Sequence, residues 1–228
     1  MVDSLDRPTV NESPCMPDSL PVLSLLETRV LGTLVEKQQT VPDTYPLSLN
    51  SLVAGCNQKT SRNPVLEAAE QEVLLALENL KELGFVAKVS GSRVVRFAHH
   101  FDKVLGVPTQ ASALLTVLML RGPQTAGELR LNCERLHKFA DISAVEAFLE
   151  ELAARAAGAL VVELPRLPGA RENRWSHLLS GQPVIDSGAR GRGVTASSGQ
   201  EIDELRSRVA VLETEVAALR EIVDRLRG

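Results

Sequence analysis

Two features of this 228-residue sequence place side chains where chemistry needs them: an adjacent histidine pair and three polar stretches rich in cations. Successive residues of a strand point to opposite faces, so His99 and His100 do not easily share a metal, and they read as one buried and one exposed residue. The cysteines Cys15, Cys56 and Cys133 lie far apart without metal-type spacing. No glycine-rich loop stands between a strand and a helix to cradle a phosphate. The sequence thus gives no expectation of a catalytic centre, a metal or a cofactor, and it reads as a non-enzyme. The cations are different. CNQKTSRNP (Cys56–Pro64) carries Lys59 and Arg62 among neutral hydrogen-bonding residues. One β-rich region carries Lys88, Arg93 and Arg96, with Lys103 beyond it, and a second carries Arg166, Arg171 and Arg174. These residue types contact phosphates. They also keep strand edges and loops soluble, and both readings stand. The net charge of −4 confines any polyanion contact to local patches.

The elements that position these residues follow from capping and periodicity. Ser24 and Glu27 have capping-box spacing, and Leu26, Val30, Leu31, Leu34 and Val35 then form one helical stripe. Pro42 and Pro46 end that helix. A short helix over about 48–57 follows, then the CNQKTSRNP crossing, then a helix over about 67–83 with Gly84 as its C-cap. FVAKVSGSRVVRFAHH reads as a hairpin around Ser90–Ser92. The order then repeats. A helix runs through Leu115, Leu118 and Met119. Capping boxes at Thr125/Glu128 and Ser143/Glu146 open two more, and a second hairpin turns at Pro168-Gly169. The pairs LENL/LEEL and RFAH/RWSH fall at matching places in the two rounds. The expected fold is mainly α with small β-hairpin wings (α+β): tandem winged-helix domains plus a C-terminal coiled-coil helix. The expected boundaries are 1–22 for a disordered lead-in, 23–104 and 105–181 for the two winged-helix domains, 182–200 for a flexible linker and 201–228 for the coiled-coil segment.

The last segment has the strictest pattern. Ile202, Leu205, Val209, Leu212, Val216, Leu219, Val223 and Leu226 alternate in steps of three and four. Ile or Val at a with Leu at d favours a parallel two-stranded coil. Glu201–Arg206, Arg208–Glu213 and Glu215–Arg220 are then attractive across the seam. The expectation is a homodimer joined through residues 201–227. The alternative is a helix packed on its own domain.

Three motifs of the first round are long and ordered: ETRVLGTLVEKQ (Glu27–Gln38), PDTYPLSLN (Pro42–Asn50) and CNQKTSRNPV (Cys56–Val65). Three more lie in the second: LRGPQTAGELR (Leu120–Arg130), RLHKFAD (Arg135–Asp141) and LPGARENRW (Leu167–Trp175). On these motifs the region from about Leu23 to Gly181 resembles the YceH-like family of uncharacterised bacterial proteins. The resemblance implies a tandem winged-helix fold and no particular activity. The sequence departs from the pattern at Asn132–Cys133, where a more basic or polar pair is expected.

In a winged helix the third helix ordinarily enters the major groove. Here those helices are acidic: Glu67, Glu70, Glu72, Glu78 and Glu82 stand against Lys81, and Asp141, Glu146, Glu150 and Glu151 against Arg155. Carboxylates repel phosphates, which moves any DNA contact to the wings and the CNQKTSRNP loop. Two functions follow: a DNA-associated regulatory or architectural protein, or a protein–protein adaptor that uses winged-helix domains without DNA. No apolar run approaches the roughly 20 residues a membrane span needs. The odd, scattered cysteines suit a reducing cytoplasm. For CNQKTSRNP itself, the structural reading has Asn57 ending a helix, Asn63-Pro64 setting a turn and Arg62 pairing with Glu67 or Glu70. The binding reading makes Lys59 and Arg62 a contact surface. The second round crosses the same point with ERLHKFAD (Glu134–Asp141).

Overall fold

Ser24 starts the first helix as its spacing predicts. The computed structural model describes residues 21–89, 94–167 and 169–183, and in it Glu27 N–H donates to Ser24 Oγ at 3.2 Å while Ser24 N–H donates to Glu27 Oε2 at 2.6 Å. This capping box opens α1 (Leu25–Thr40). A 3-10 turn (Pro42–Thr44) and β1 (Leu47–Ser48) lead to α2 (Leu49–Cys56), which Ser48 caps at the start and Asn57 ends. α3 runs Glu70–Glu82, three residues shorter at its start than the sequence suggests. The reason is local. Asn57 donates to Ala68 C=O at 2.9 Å and accepts from Ala68 N–H at 2.8 Å, holding the chain extended until Ala69. Gly84 follows α3 with φ +78°, a left-handed conformation that glycine adopts without a steric penalty. β2 (Val86–Val89) and β3 (Arg96–His99) then pair antiparallel, with β1 on the other edge of β3.

A short helix that periodicity does not reveal, α4 (Phe101–Leu105), leads into the second round. That round consists of α5 (Thr109–Arg121), α6 (Ala126–Asn132), α7 (Ile142–Ala153), β4 (Val161–Leu164) and β5 (Arg174–His177). The Thr125/Glu128 capping box forms. The Ser143/Glu146 box does not: α7 begins earlier, because Asp141 Oδ1 accepts from Ala144 N–H at 2.8 Å and serves as the cap. Asp and Ser cap about equally well, and the negative charge of Asp141 at the helix N-terminus adds a favourable dipole interaction. The two rounds also correspond in pairing. Leu47 of β1 pairs with Phe97, and Gln124 pairs with Trp175, which occupies the matching place in RWSH. The layout is winged-helix-like twice over, mainly α with small antiparallel sheets.

α1 departs from the single stripe that its sequence suggests. Every residue from Glu27 to Val35 is buried, as is every residue from Ala111 to Leu120 in α5. Each helix covers its own round on one side and the other round's first helix on the other. Gly32 makes the approach close: a Cβ there would stand 3.0 Å from Leu120 Cδ2. One continuous apolar core results, running from Leu31 and Leu34 through Leu114 and Leu118 to Leu149 and Leu160.

Glycine also sets the α1–α2 contact. A Cβ on Gly55 would lie 2.6 Å from Thr33 Cγ2, and Thr33 is fully buried with its hydroxyl bonded to Arg29 C=O. Alanine in place of glycine favours a helix by about 1 kcal/mol, but overpacking a core costs about 1–3 kcal/mol. Gly55→Ala therefore lowers the urea midpoint, and Thr33→Ser, which removes the clashing methyl, restores it in the double variant. A single variant as stable as wild type would refute the close contact.

Candidate functional site

The CNQKTSRNP loop is built around a buried arginine. Arg62 is 6% exposed, and its side chain is spent on internal partners. Its Nη2 donates to Glu36 Oε2 at 2.6 Å and Gln58 Oε1 at 2.8 Å, Nη1 to Glu36 Oε1 at 3.1 Å, and Nε to Gly55 C=O at 3.2 Å. This corrects two expectations. The partner is Glu36 on α1 and neither Glu67 nor Glu70, and Arg62 is not a free surface cation. The fork geometry explains the choice: a bidentate carboxylate on a rigid helix holds the guanidinium better than an exposed acid beyond the turn. Burial opposes the charge on Glu36, but the bonds and charge of Arg62, with Lys37 adding to them, hold its carboxyl below the ordinary range. Beneath the loop, fully buried Arg29 donates to Cys56 C=O at 3.1 Å and Pro64 C=O at 2.6 Å.

The same loop reaches the second round. Asn63 N–H donates to Leu120 C=O at 2.8 Å, satisfying a carbonyl of the last turn of α5, and Arg121 Nη2 donates to Ser61 Oγ at 2.8 Å. Lys59 alone of the loop's cations is exposed.

The wing cations divide into two kinds. Lys88, Arg166 and Arg171 are exposed and have no carboxylate within ion-pair distance among the described residues. Arg166 Nε donates to Asn173 Oδ1 at 3.1 Å. Arg96 is a structural clip: its Nη1 donates to Thr44 C=O at 3.2 Å and Pro46 C=O at 2.7 Å. Arg93 lies outside the described residues, as do Ile202, Leu205, Val209, Leu212, Val216, Leu219, Val223 and Leu226.

Arg174 joins a site that sequence reasoning missed. Two clefts of about 190 and 370 Å³ meet where the loop faces the end of α5 and α6, and both are lined by Ser61, Arg121 and Asn132. Arg135 lines the smaller and Arg174 the larger. Arg121 ends α5, Arg135 follows α6 and Arg174 begins β5, so no sequence spacing links them. The only hint was the polar ERLHKFAD crossing.

The remaining titratable groups look structural. His99 is buried while His100 is exposed, as strand alternation implies. His99 Nδ1 accepts from Phe101 N–H, which leaves Nε2 to donate to Gln38 Oε1 at 2.8 Å, and burial holds the ring neutral. Burial pushes the Cys56 thiol up to about 11 and the Cys133 thiol up to about 12, so neither is a thiolate nucleophile at neutral pH. Among the described residues, no three His, Cys, Asp or Glu side chains gather as a metal site.

The two loop cations should behave in opposite ways. Arg62→Met leaves Glu36 half-paired in a partly buried setting and is expected to cost about 2–4 kcal/mol in urea unfolding. Lys59→Glu should change stability by less than about 0.5 kcal/mol. Equal effects would mean that Arg62 does not organise the loop. A second expectation concerns acid. Burial pushes His177 down to about 4, and its Nδ1 is inaccessible without a hydrogen-bond partner. The unfolded chain binds this proton near pH 6.5. The contribution is therefore intact above about pH 6.5 and is lost as pH falls toward about 4, on the order of 2 kcal/mol. His177→Gln should flatten the pH dependence of the urea midpoint in that window; an unchanged slope would contradict the burial.

Comparison with known proteins places this geometry in a family. The model of a protein of unknown function, DUF480, matches residues 23–170, which hold α1 to α7 and β1 to β4. A UPF0502 protein of Dechloromonas aromatica is 73% identical over 208 residues, covering 91% of this chain and 97% of its own length. UPF0502 proteins of Burkholderia ambifaria and Burkholderia thailandensis are 56% and 54% identical, over 95% and 97% of this chain and 94% and 91% of their own lengths. The chain belongs to the DUF480 family, whose bacterial relatives carry the name UPF0502.

Proposed function

We propose that the chain is a tandem winged-helix protein of the YceH-like type that works by binding rather than catalysis, and that it touches nucleic-acid backbone phosphates through its wings and the 57–64 loop. One observation carries this reading: Lys59, Lys88, Arg166 and Arg171 are exposed and unengaged by carboxylates among the described residues. Phosphate contact without base readout also fits the acidic face of α3, where Glu70, Glu72, Glu78 and Glu82 are exposed. The heptads of residues 201–227 would join two copies and present the wings in pairs, in a cytoplasmic setting. No helix among the described residues is long and apolar enough to cross a membrane.

A second reading, a protein–protein adaptor, is favoured by α3 itself: Leu74 and Leu75 stand 36% and 61% exposed among its acids. Fluorescence anisotropy with random duplex DNA separates the two. The wing reading expects the logarithm of affinity to fall against the logarithm of salt with a slope of about −3, and expects at least a tenfold loss in Lys88→Glu/Arg166→Glu/Arg171→Glu. Absence of binding at low salt would sink it and leave the adaptor reading. Sedimentation of the full chain against one ending at Gly181 tests the dimer; a truncated chain that stays dimeric removes the heptads' role.

A further inference from the structure

We propose that the cleft between the 57–64 loop and the end of α5 is a binding site for a small phosphorylated molecule, held by Arg121, Arg135 and Arg174. The starting point is an asymmetry between the two rounds. Arg96 and Arg174 occupy the same place, the first residue of RFAH and of RWSH. Arg96 is satisfied by two carbonyls from the turn that separates α1 from β1. The second round has no such turn: only Gly122 and Pro123 separate the end of α5 from Gln124. The Arg174 side chain consequently has no hydrogen-bond partner among the described residues, and its Nε is shielded from solvent. An arginine kept there without an acceptor leaves its donors open to a ligand.

Its neighbours point the same way. Arg121 spends one nitrogen on Ser61, and Arg135 has no partner among the described residues. Two carboxylates line the clefts, and both are engaged. Glu36 is taken by Arg62 and Lys37, while Glu128 accepts from Thr125 N–H to cap α6. Arg121 lines both clefts, Arg135 the smaller and Arg174 the larger, so three guanidinium groups with spare donors border this polar region, in a chain whose net charge is −4. Planar forks of this kind match phosphate oxygens. The larger cleft, about 370 Å³, falls at the low end of small-molecule pockets, and the smaller, about 190 Å³, leaves room only for a compact group such as a phosphate. The smaller cleft, lined by Arg121 and Arg135, is the more enclosed of the two, while the larger, lined by Arg121 and Arg174, opens broadly to solvent over buried Arg62 and Gln124. A free phosphate enters a recess more readily than one fixed along the outside of a duplex. The proposal stands whether or not the wings touch DNA.

Isothermal titration of the full chain with sodium pyrophosphate, at constant ionic strength, tests it. The expected result is saturable binding that weakens at least about tenfold in Arg174→Gln and in Arg121→Gln. Lys81→Gln, at an exposed cation of α3 that lines neither cleft, should change affinity less than about twofold. Circular dichroism checks folding; if Arg174→Gln does not fold, exposed Arg135→Gln takes its place with the same expected loss. Three results would overturn the proposal: no saturable heat with pyrophosphate, equal losses in the cleft variants and Lys81→Gln, or displacement of bound pyrophosphate by duplex DNA. The last would reassign the cleft to backbone phosphates.

Discussion

Two buried guanidinium groups organise the meeting point of the two rounds. Arg29 rises from the interior face of α1 with only backbone carbonyls to receive it, and its proton is held less tightly first because it is buried and then because Arg62 lies nearby. Arg62 brings a second positive charge into the same region, and Glu36 is its carboxylate. A buried cation without acceptors is untenable, so the chain must supply them. That requirement explains the long polar crossing. Residues 55–64 fold so that Gly55, Cys56, Ser61 and Pro64 aim carbonyls at the two arginines. With its path fixed from within, the loop offers its outer groups to the second round: Asn63 N–H to Leu120 and Ser61 Oγ to Arg121.

The two rounds reach the same architecture by different physical means. The first crossing is polar and arginine-centred. The second, ERLHKFAD, is pinned by an aromatic: Phe139 is buried, with His137 edge-on at 4.8 Å and Phe148 at 6.0 Å between ring centroids. The sheets differ as well. β1 is a two-residue strand preceded by a proline-rich turn, whereas its counterpart is the single bridge residue Gln124. The shorter turn of the second round supplies no carbonyls like those that occupy Arg96, and the equivalent Arg174 side chain lines a cleft without a hydrogen-bond partner among the described residues.

Much of the fold was legible because it rests on local chemistry. Capping boxes at Ser24 and Thr125, the end of α2 at Asn57, the turn at Gly84 and the alternation of His99 and His100 each involve partners within a few residues. The failures have a common cause in longer range. Ser143 lost its cap to Asp141, a nearby competitor that spacing alone cannot rank. Arg29, Gly32 and Thr33 lie off the apolar stripe of α1, yet they are buried: Gly32 faces Leu120 of α5, Thr33 faces Gly55 of α2, and Arg29 lies beneath the loop. Arg62 read as a surface cation because its partner, Glu36, lies 26 positions earlier and on another element. The clefts were invisible for the same reason: their arginines come from three elements that only the tertiary fold brings together.

Charge distribution follows from this arrangement and bears on which surfaces can work. The acids of α3 lie on its exposed face because Val73, Ala76, Leu77 and Leu80 take the core side, so any anionic partner is turned away from that helix. Among the exposed cations, Lys59, Lys88, Arg166 and Arg171 fall on the hairpins and the loop, Arg135 and Lys138 on the second crossing, and Lys81 and Lys103 on helices. Arg29, Arg62 and Arg96 are engaged by carbonyls and, for Arg62, by Glu36, and contribute rigidity instead of contact. Counting lysines and arginines along the sequence therefore overstates the first group and hides the third. What separates them is whether the fold provides an acceptor, and at Arg174 it does not.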